Sequence, residues 1–462
     1  MKQIFFLICF VAMASVVVAQ KTAQQLAKAF QQFASDPQMK NAQVSLYVLN
    51  AKNGEVIFDK NSRLLLAPAS TLKIISSVTA YELLGKNFRF STAFLYAPNS
   101  NSLIVSGSGD PTLGSPRYAQ TTPDVILDMV QKGLKAKSAI SNILLHDLLY
   151  EDASIPAGYP WEDIGNYYGA GHGQLNWREN QYTLYFKTGR QGAPSTIGGV
   201  KPAMPGIKFK NLVKAGAAGS GDNAYIYFTS SPDSILIKGT VPPQQSSFDV
   251  SGAMPNPPYQ FAKELQSFLT KTKNTNGSSR ILVAKKDDNY AERLLRPPYD
   301  TIYIHYSPSL DSIVYWLNRK SINLYAEALI KSIAAQKEKS PSLEKGIRAL
   351  QLFWSGKGIG PGELKMVDGS GLSPANRIST YAQVSILQHA KKQPWFGGFY
   401  QSLPEYNGMK MKSGTINGVK GFAGYHTSKA GEEYVFSFIV NNFGGSSSTV
   451  VQKMYRVLNE LK

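Results

Sequence analysis

Ser70 and Lys73 are three positions apart at the start of an apolar run that extends from Ala67 to about Gly85. If this run is helical, both side chains lie on one face, where the amine can take the hydroxyl proton. Such a pairing turns a serine into a nucleophile without any histidine. Because Ser342 and Lys345 have the same spacing in a charged segment, the pattern needs support from other parts of the chain.

Two further polar groups follow in the sequence. Ser321 and Asn323 stand just before an apolar helical pattern, where they could relay a proton and hold a substrate amide. Lys412-Ser413-Gly414-Thr415 precedes the strand-like residues 419–425. A lysine and a hydroxyl at a strand edge suit a substrate carboxylate, and the glycine lets a substrate backbone approach closely.

In this order, the three motifs resemble the set shared by penicillin-binding proteins and serine β-lactamases. Lys187-Thr188-Gly189 matches the third motif literally, but it precedes Ser321 and lies in a strand-rich insertion, so we prefer Lys412. Four more phrases sharpen the resemblance, and they run from Gly107 to Leu113, from Trp161 to Asp163, from Leu175 to Asn180 and from Asp368 to Ser373. With them the chain resembles the penicillin-binding protein 4 type of D-alanyl-D-alanine carboxypeptidase, peptidase family S13, over nearly its whole mature length.

The resemblance implies a role for each motif residue. Ser70 would be the acylated nucleophile and Lys73 its general base. Ser321 would pass the proton to the leaving amine, and Asn323 would hold the peptide. The remaining implied roles are a terminal-carboxylate site at Lys412 and Ser413, beside Gly414, and an oxyanion hole formed by the backbone amides of Ser70 and Thr415. Taken alone, Ser70 would be read as a helix cap and Lys412 as an ordinary strand residue.

The resemblance also implies specificity residues. Asp163 and Tyr168 occupy the positions of an acid and an aromatic residue that reach the cleft in relatives acting on diaminopimelate peptides. An aspartate suits the free ammonium of such a side chain. Asn417 stands at the amide position after the third motif. Some relatives have an arginine at the position of Pro374, where it helps to hold the side-chain carboxylate of the third stem-peptide residue. Its absence leaves the identity of that residue open, and Arg377 is only a weak candidate to replace the arginine.

Composition sets the class of protein. The 462 residues are 43% hydrophobic and 17% charged, which is globular and long enough for two or three packed units. Residues 1–19 read as a secretory signal, and the single cysteine, Cys9, lies within it. We therefore expect an exported protein of the bacterial periplasm or cell envelope. The net charge of +18 favours anionic neighbours, and export makes nucleic acid the least expected of them.

The order of predicted elements favours one α/β (α+β) domain split by a long insertion. A helix is expected over 22–35, then a hairpin turning at Asn53-Gly54, and later helices over 323–336 and 342–355. The resemblance implies a penicillin-binding-protein/β-lactamase-like domain with a five-stranded sheet and helices on both faces. Its expected bounds are 20–85 and 297–462, with a second domain at 86–191 and 251–296 and an all-strand third domain at 192–250.

These features predict a serine-type D-Ala-D-Ala carboxypeptidase with D,D-endopeptidase activity, needing no cofactor or metal. Its expected partners are peptidoglycan stem peptides and cross-links, with β-lactams as inhibitors, no nucleic acid and at most peripheral membrane contact. The scattered histidines show no ligand spacing. Two alternatives stay open at this stage, a serine β-lactamase and a catalytically idle protein that binds the cell wall.

Overall fold

The computed structural model describes residues 20–146, 149–150, 154–272, 279–284, 297–336, 338 and 341–462. The predicted signal segment, with Cys9, lies outside the described residues. Among the residues described, no helix has the length and apolarity needed to span a bilayer. The chain divides into two compact units, and their bounds are Met1–Leu83, Val314–Ser321 and Ile347–Lys462 for the first and Leu84–Ile313 and Ile322–Gly346 for the second.

The described helices are α1 (20–34), α2 (Lys73–Leu83), α3 (Pro123–Leu134), α4 (Pro257–Lys271), α5 (Leu310–Lys320), α6 (Asn323–Ala335), α7 (Leu343–Ser355), α8 (Thr380–Lys391), α9 (Phe396–Ser402) and α10 (Ser447–Leu458). Short 3-10 turns add Pro37–Met39, Ala69–Leu72, Pro98–Ser100, Ala119–Thr121, Tyr167–Gly169, Arg178–Asn180, Pro361–Glu363 and Asn459–Leu461. The predicted helices at 22–35, 323–336 and 342–355 are thus confirmed to within two residues.

The strands are β1 (Gln43–Asn50), β2 (Val56–Lys60), β3 (Ser91–Ala97), β4 (Ser102–Gly107), β5 (Asn142–His146), β6 (Gln181–Lys187), β7 (Thr196–Lys201), β8 (Lys208–Ala215), β9 (Asn223–Phe228), β10 (Ser234–Val241), β11 (Phe248–Ala253), β12 (Arg280–Val283), β13 (Asp300–Tyr306), β14 (Leu364–Lys365), β15 (Arg377–Ile378), β16 (Glu405–Tyr406), β17 (Met409–Ile416), β18 (Val419–Thr427) and β19 (Glu433–Asn441). The hairpin predicted at Asn53-Gly54 joins β1 to β2, and Gly54 has the positive φ of +78° that such turns use.

The first unit is built on an antiparallel sheet in the order β16-β17-β18-β19-β1-β2. Strand alternation sends Leu46 of β1 into a core shared with Phe30 of α1 and Val450 of α10. The preceding residue of β1, Ser45, faces the other way, and its hydroxyl lies 2.6 Å from the hydroxyl of Thr380 in α8. Helices therefore cover both faces, which confirms the predicted α/β class.

This sheet has six strands, so the expected five-stranded sheet was one strand short. The extra strand is the two-residue β16 at the edge, paired with β17 through Tyr406 and Met409. Asn407 and Gly408 turn between them with φ values of +51° and +67°. Asn-Gly is the strongest two-residue hairpin signal, and it was readable in the sequence.

The second unit contains a sheet in the order β12-β5-β4-β3-β13 and two three-stranded sheets, β11-β6-β7 and β8-β10-β9. Val105 of β4 shares a core with Ile126 of α3 and Phe261 of α4. A second core includes Val213, Ile226 and Ile237 of the β8-β10-β9 sheet. This unit also takes in residues 322–346, and the bounds of the three predicted domains remain a prediction.

Candidate active site

Ser70 lies in the 3-10 turn that leads directly into α2, where Lys73 is the first residue. The ammonium nitrogen Nζ of Lys73 lies 2.9 Å from Oγ of Ser70, so the expected contact between amine and hydroxyl is present. Lys73 is completely buried. Ala69, just before the serine, has a φ of +47°, a left-handed conformation that costs a non-glycine residue about 1–3 kcal/mol.

The loop at Asp368–Ser373 holds Lys73 from the other side. Nζ of Lys73 donates to the carbonyl oxygen of Ser370 at 2.7 Å. Buried Asp368 fixes this loop by accepting the backbone N–H groups of Gly371 at 2.6 Å and of Ser373 at 2.7 Å. Burial raises the pKa of the Asp368 carboxyl, while these N–H donors and the Lys73 charge oppose the rise.

Sequence reasoning noted this loop only as a family resemblance and missed its place beside Lys73. The available signal was Gly371 within Asp-Gly-Ser-Gly. Its φ is +83°, and a Cβ there would stand 1.9 Å from the carbonyl oxygen of Ala69. Only glycine fits both conditions, so the loop packs directly on the turn that carries Ser70.

Lys412 is a second buried lysine in the first unit, on β17. Its Nζ donates to Oγ of Ser321 at 2.9 Å and to the carbonyl oxygen of Ser413 at 2.8 Å. Burial lowers the pKa of Lys412 well below its usual value, and the charges of Lys73 and Lys420 lower it further. Ser321 itself has a φ of +57°, a second strained non-glycine residue beside a candidate site residue.

Gly414 is where β17 comes closest to the Ser70 turn. A Cβ on Gly414 would stand 2.6 Å from the carbonyl oxygen of Pro68 and 3.0 Å from the backbone nitrogen of Ser70. This separation leaves no room for a side chain. The sequence motif assigned the glycine to the approach of a substrate backbone, and the structure shows that the chain's own backbone also requires it. The next residue, Thr415, is exposed, and its Oγ1 accepts a hydrogen bond from Nζ of Lys420 at 2.6 Å.

Three predicted site residues belong to the second unit. Nδ2 of Asn323, the first residue of α6, donates to the carbonyl oxygen of Tyr168 at 2.6 Å. The Tyr168 hydroxyl donates to Oδ1 of Asp163 at 3.0 Å. Burial raises the pKa of the Asp163 carboxyl, and the tyrosine hydroxyl partly offsets the rise. The pKa of Tyr168 is raised by burial first and then by Asp163.

The remaining candidates from the sequence, Asn417 and Arg377, lie at the surface or contact neighbouring backbone. Asn417 is exposed in the turn between β17 and β18. The Arg377 guanidinium donates to the carbonyl oxygens of Pro374 and, at 2.8 Å, of Asn376. Among the described residues, no three side chains of His, Cys, Asp or Glu are grouped as metal ligands would be.

The cluster in the first unit combines a nucleophile with an excess of positive charge. Lys73 and Lys420 are both close enough to Lys412 for their charges to lower its pKa. A serine hydroxyl contacting an amine suits acyl transfer. Neighbouring buried cations suit a substrate that ends in a carboxylate.

The D-Ala-D-Ala carboxypeptidase 3 (S13) family model matches residues 26–405 and 406–461. Among curated proteins, the D-alanyl-D-alanine carboxypeptidase of Actinomadura sp. (strain R39) is 23% identical over 457 residues, covering 90% of this chain and 81% of that protein. The D-alanyl-D-alanine carboxypeptidase DacB of Haemophilus influenzae is 23% identical over 429 residues, covering 87% and 85%.

Among solved structures, penicillin binding protein 4 (dacB) from Haemophilus influenzae superposes with a TM-score of 0.75 at 21% identity, covering 91% of this chain and 96% of that one. The same protein complexed with a β-lactam gives a TM-score of 0.69 with the same coverage. These likenesses establish a shared fold over nearly the whole chain.

Proposed function

Because the chain belongs to the D-Ala-D-Ala carboxypeptidase 3 (S13) family, we propose that it cleaves the terminal D-Ala-D-Ala bond of peptidoglycan stem peptides through an acyl-enzyme on Ser70. The observation that carries the proposal is the 2.9 Å contact between Oγ of Ser70 and the fully buried Nζ of Lys73. A buried amine in this position is suited to accept the serine proton at the moment of attack.

Acylation starts when Lys73 removes the hydroxyl proton and Oγ of Ser70 attacks the carbonyl carbon of the penultimate D-alanine. The backbone N–H groups of Ser70 and Thr415 stabilise the oxyanion of the tetrahedral intermediate. One such donor is typically worth about 3 kcal/mol in the transition state. The C–N bond then breaks as Ser321 passes a proton to the leaving amine, and D-alanine departs.

The terminal carboxylate binds beside Lys412 and Ser413. Lys412 has a lowered pKa in the unliganded enzyme because it is buried near two other lysines. A carboxylate at this point supplies the missing opposite charge and favours the ammonium form. A bound carboxylate therefore raises the pKa of Lys412 again. The Ser321 hydroxyl, held at 2.9 Å by the same lysine, stays oriented for proton transfer.

Water completes the reaction by attacking the ester carbonyl of the acyl-enzyme, which releases the shortened peptide and regenerates the Ser70 hydroxyl. When the amine expelled in the first half belongs to a neighbouring stem peptide, the same steps open a cross-link. This is the basis for D,D-endopeptidase activity. Penicillins acylate Ser70 because their strained ring amide takes the place of the scissile bond.

Peptide recognition involves the second unit. Asn323 holds the substrate backbone, and its hydrogen bond to the Tyr168 carbonyl fixes it against the segment that carries Asp163. Asp163 receives the side-chain ammonium of diaminopimelate, with Tyr168 beside it. Asn417 adds an amide at the turn after β17. Residues 1–19 direct export, so the enzyme works in the periplasm or cell envelope.

The first experiment is labelling of the purified protein with a fluorescent penicillin. The wild type is expected to become covalently labelled and the Ser70→Ala variant to stay unlabelled. Equal labelling of both proteins would contradict the assignment of Ser70. Incubation with defined disaccharide-pentapeptides, monomeric and cross-linked, followed by mass spectrometry then measures release of D-alanine and cleavage of cross-links.

The same measurements separate the alternatives. A serine β-lactamase would free itself from the penicillin rapidly, whereas the proposed enzyme keeps the label for many minutes. A catalytically idle wall-binding protein would release no D-alanine from any fragment and would bind isolated cell wall equally well after Lys73→Ala.

A further inference from the structure

One face of the β8-β10-β9 sheet in the second unit is turned to solvent. The strand register aligns Lys210, Leu236 and Tyr227 in one row across the sheet, and Leu212, Lys238 and Tyr225 in the next. Alternate residues of the same strands, such as Val213, Ile226 and Ile237, point into the core on the opposite side. We call this solvent-facing surface, together with Trp161, the aromatic-lysine face.

The aromatic part of this face forms a continuous strip. Trp161 is 59% exposed, and its ring lies 5.0 Å from the ring of Tyr227. The ring of Tyr225, 43% exposed, lies 6.4 Å from Tyr227. Nζ of Lys238 lies 5.7 Å from the centre of the Tyr227 ring. Large aromatic side chains placed in water in this way have ring faces available to a ligand.

The charge on the face has one sign. The outward positions of the three strands are Lys208, Lys210, Leu212, Lys214, Ser234, Leu236, Lys238, Thr240, Asn223, Tyr225 and Tyr227, with four lysines and no carboxylate among them. Lys208 has an acidic neighbour, since its Nζ lies 3.8 Å from Asp233. Lys210, Lys214 and Lys238 are exposed. The face thus complements an extended anionic partner.

The aromatic-lysine face borders the candidate specificity residues. Oδ1 of Asn166 accepts the backbone N–H of Ile226 at 3.1 Å, and a Cβ on Gly165 would stand 2.1 Å from the Ile226 carbonyl oxygen. The segment from Trp161 to Tyr168 therefore lies directly along the edge strand β9. Asp163 and Tyr168 belong to that segment, so a polymer crossing the face passes close to them.

We infer that the aromatic-lysine face binds the peptidoglycan polymer itself. Sugar rings of the glycan strand stack on Trp161, Tyr227 and Tyr225, and carboxylates of neighbouring stem peptides pair with Lys210 and Lys238. This deepens the proposed function and rests on it for the identity of the polymer. Each exposed contact is weak alone, so the affinity depends on several contacts along one strand.

A lipid surface fits the face less well. Side chains that enter a bilayer are apolar, and only Leu212 and Leu236 of the outward positions are aliphatic. Tyr225 and Tyr227 have polar hydroxyl groups, and they lie on one strand with Lys238 and Lys210 in the same rows across the sheet. They therefore do not form an apolar projection that could enter a bilayer.

The test is co-sedimentation of the full-length protein with purified peptidoglycan sacculi. Two double variants alter the face, Lys210→Glu with Lys238→Glu and Trp161→Ala with Tyr227→Ala. The matched control is Tyr259→Ala with Lys263→Glu on α4, where Nζ of Lys263 lies 5.5 Å from a tyrosine ring that is 41% exposed. Both face variants are expected to bind sacculi about 10-fold more weakly, and the control to bind like the wild type.

Release of D-alanine from a soluble monomeric disaccharide-pentapeptide is expected to stay unchanged in the Lys210→Glu, Lys238→Glu variant, which also shows that it is folded. If that double variant does not fold, the two single lysine variants replace it. Equal binding of sacculi by face and control variants overturns the inference, and so does stronger face-dependent binding to anionic phospholipid vesicles than to sacculi. Absence of D-alanine release by the wild type, with face-dependent binding intact, instead contradicts the proposed function alone.

Discussion

The chain contains the same serine-lysine spacing twice, and the two copies are used differently. At the first copy, Lys73 is completely buried and its Nζ reaches Oγ of Ser70 at 2.9 Å. At the second, Oγ of Ser342 instead accepts the backbone N–H of Lys345 at 3.2 Å, which is a helix cap for α7. The spacing allows either outcome, and the surroundings decide between them.

The lysine-hydroxyl-glycine motif makes the same point. Lys412 is buried against Ser321, and Gly414 has no room for a side chain beside the Ser70 turn. Lys187 is exposed at the end of β6, and a Cβ on Gly189 would find its nearest neighbour only at 4.0 Å. We expect the motif to be reactive only where the fold buries its lysine and brings a second backbone segment against its glycine. Each decoy therefore serves as an internal control for its counterpart.

The largest difference is expected at the two lysines. Lys73→Met removes the proposed general base, and the rate of acylation by penicillin should fall by about 10²–10⁴-fold. Lys345→Met should leave that rate unchanged, because Ser342 contacts the backbone N–H of this residue, which the substitution keeps. Stopped-flow labelling with a fluorescent penicillin measures both, and circular dichroism checks that each variant is folded. If Lys73→Met is acylated at the wild-type rate, Lys73 is not the general base.

The next largest difference in acylation rate is expected between substitutions of Gly414 and of Gly189. Gly414→Ala introduces a Cβ 2.6 Å from the Pro68 carbonyl oxygen, so β17 and the Ser70 turn must move apart. A displacement of about 1 Å at a reacting group costs on the order of 10²-fold in rate. Gly189→Ala has space for its methyl group and should acylate normally. If both variants keep the wild-type acylation rate, the close approach at Gly414 has no catalytic importance.

The local pattern of apolar residues predicted most of the secondary structure in the first unit. Their spacing alternates in a strand and has helical periodicity in a helix, because one face of each element is buried. Local pattern also singled out Ser70, Lys73, Ser321 and Lys412 as candidate site residues, because their spacing and order resemble a known arrangement. It could not place the Asp368–Ser373 loop, since the hydrogen bond from Lys73 to the Ser370 carbonyl joins residues nearly three hundred positions apart. The edge strand β16 was missed although Asn407-Gly408 signalled it. Nor does local pattern show that Asn323 contacts the Tyr168 backbone.

A pH effect on stability should distinguish Lys412 from Lys187. The pKa of Lys412 is lowered in the folded protein, so the unfolded chain binds more protons between that pKa and the ordinary lysine value of about 10.4. The free energy of unfolding of the wild type should therefore rise with pH in this window and fall as pH decreases, by at most about 1.4 kcal/mol per pH unit for one proton.

Lys412→Met removes this contribution, so its free energy of unfolding should rise less with pH than that of the wild type. Lys187→Met changes an exposed side chain and should keep the wild-type dependence of the free energy of unfolding on pH. Urea unfolding between about pH 6 and pH 10 measures the three curves. Parallel curves for the wild type and Lys412→Met would mean that this lysine is charged in the folded enzyme.

The smallest expected effect on stability belongs to the two serines, and it separates stability from reactivity. Ser342→Ala loses the cap of α7 and should lower the free energy of unfolding by about 1 kcal/mol, with penicillin acylation unchanged. Ser70→Ala loses all acylation, but Ser70 lies inside a 3-10 turn whose N-cap is Pro68, and Lys73 keeps its bond to the Ser370 carbonyl. Its stability should equal or exceed that of the wild type, because catalytic groups are commonly held at some cost to stability. A Ser70→Ala protein less stable than Ser342→Ala would show that the Ser70 hydroxyl supports the fold as well as the chemistry.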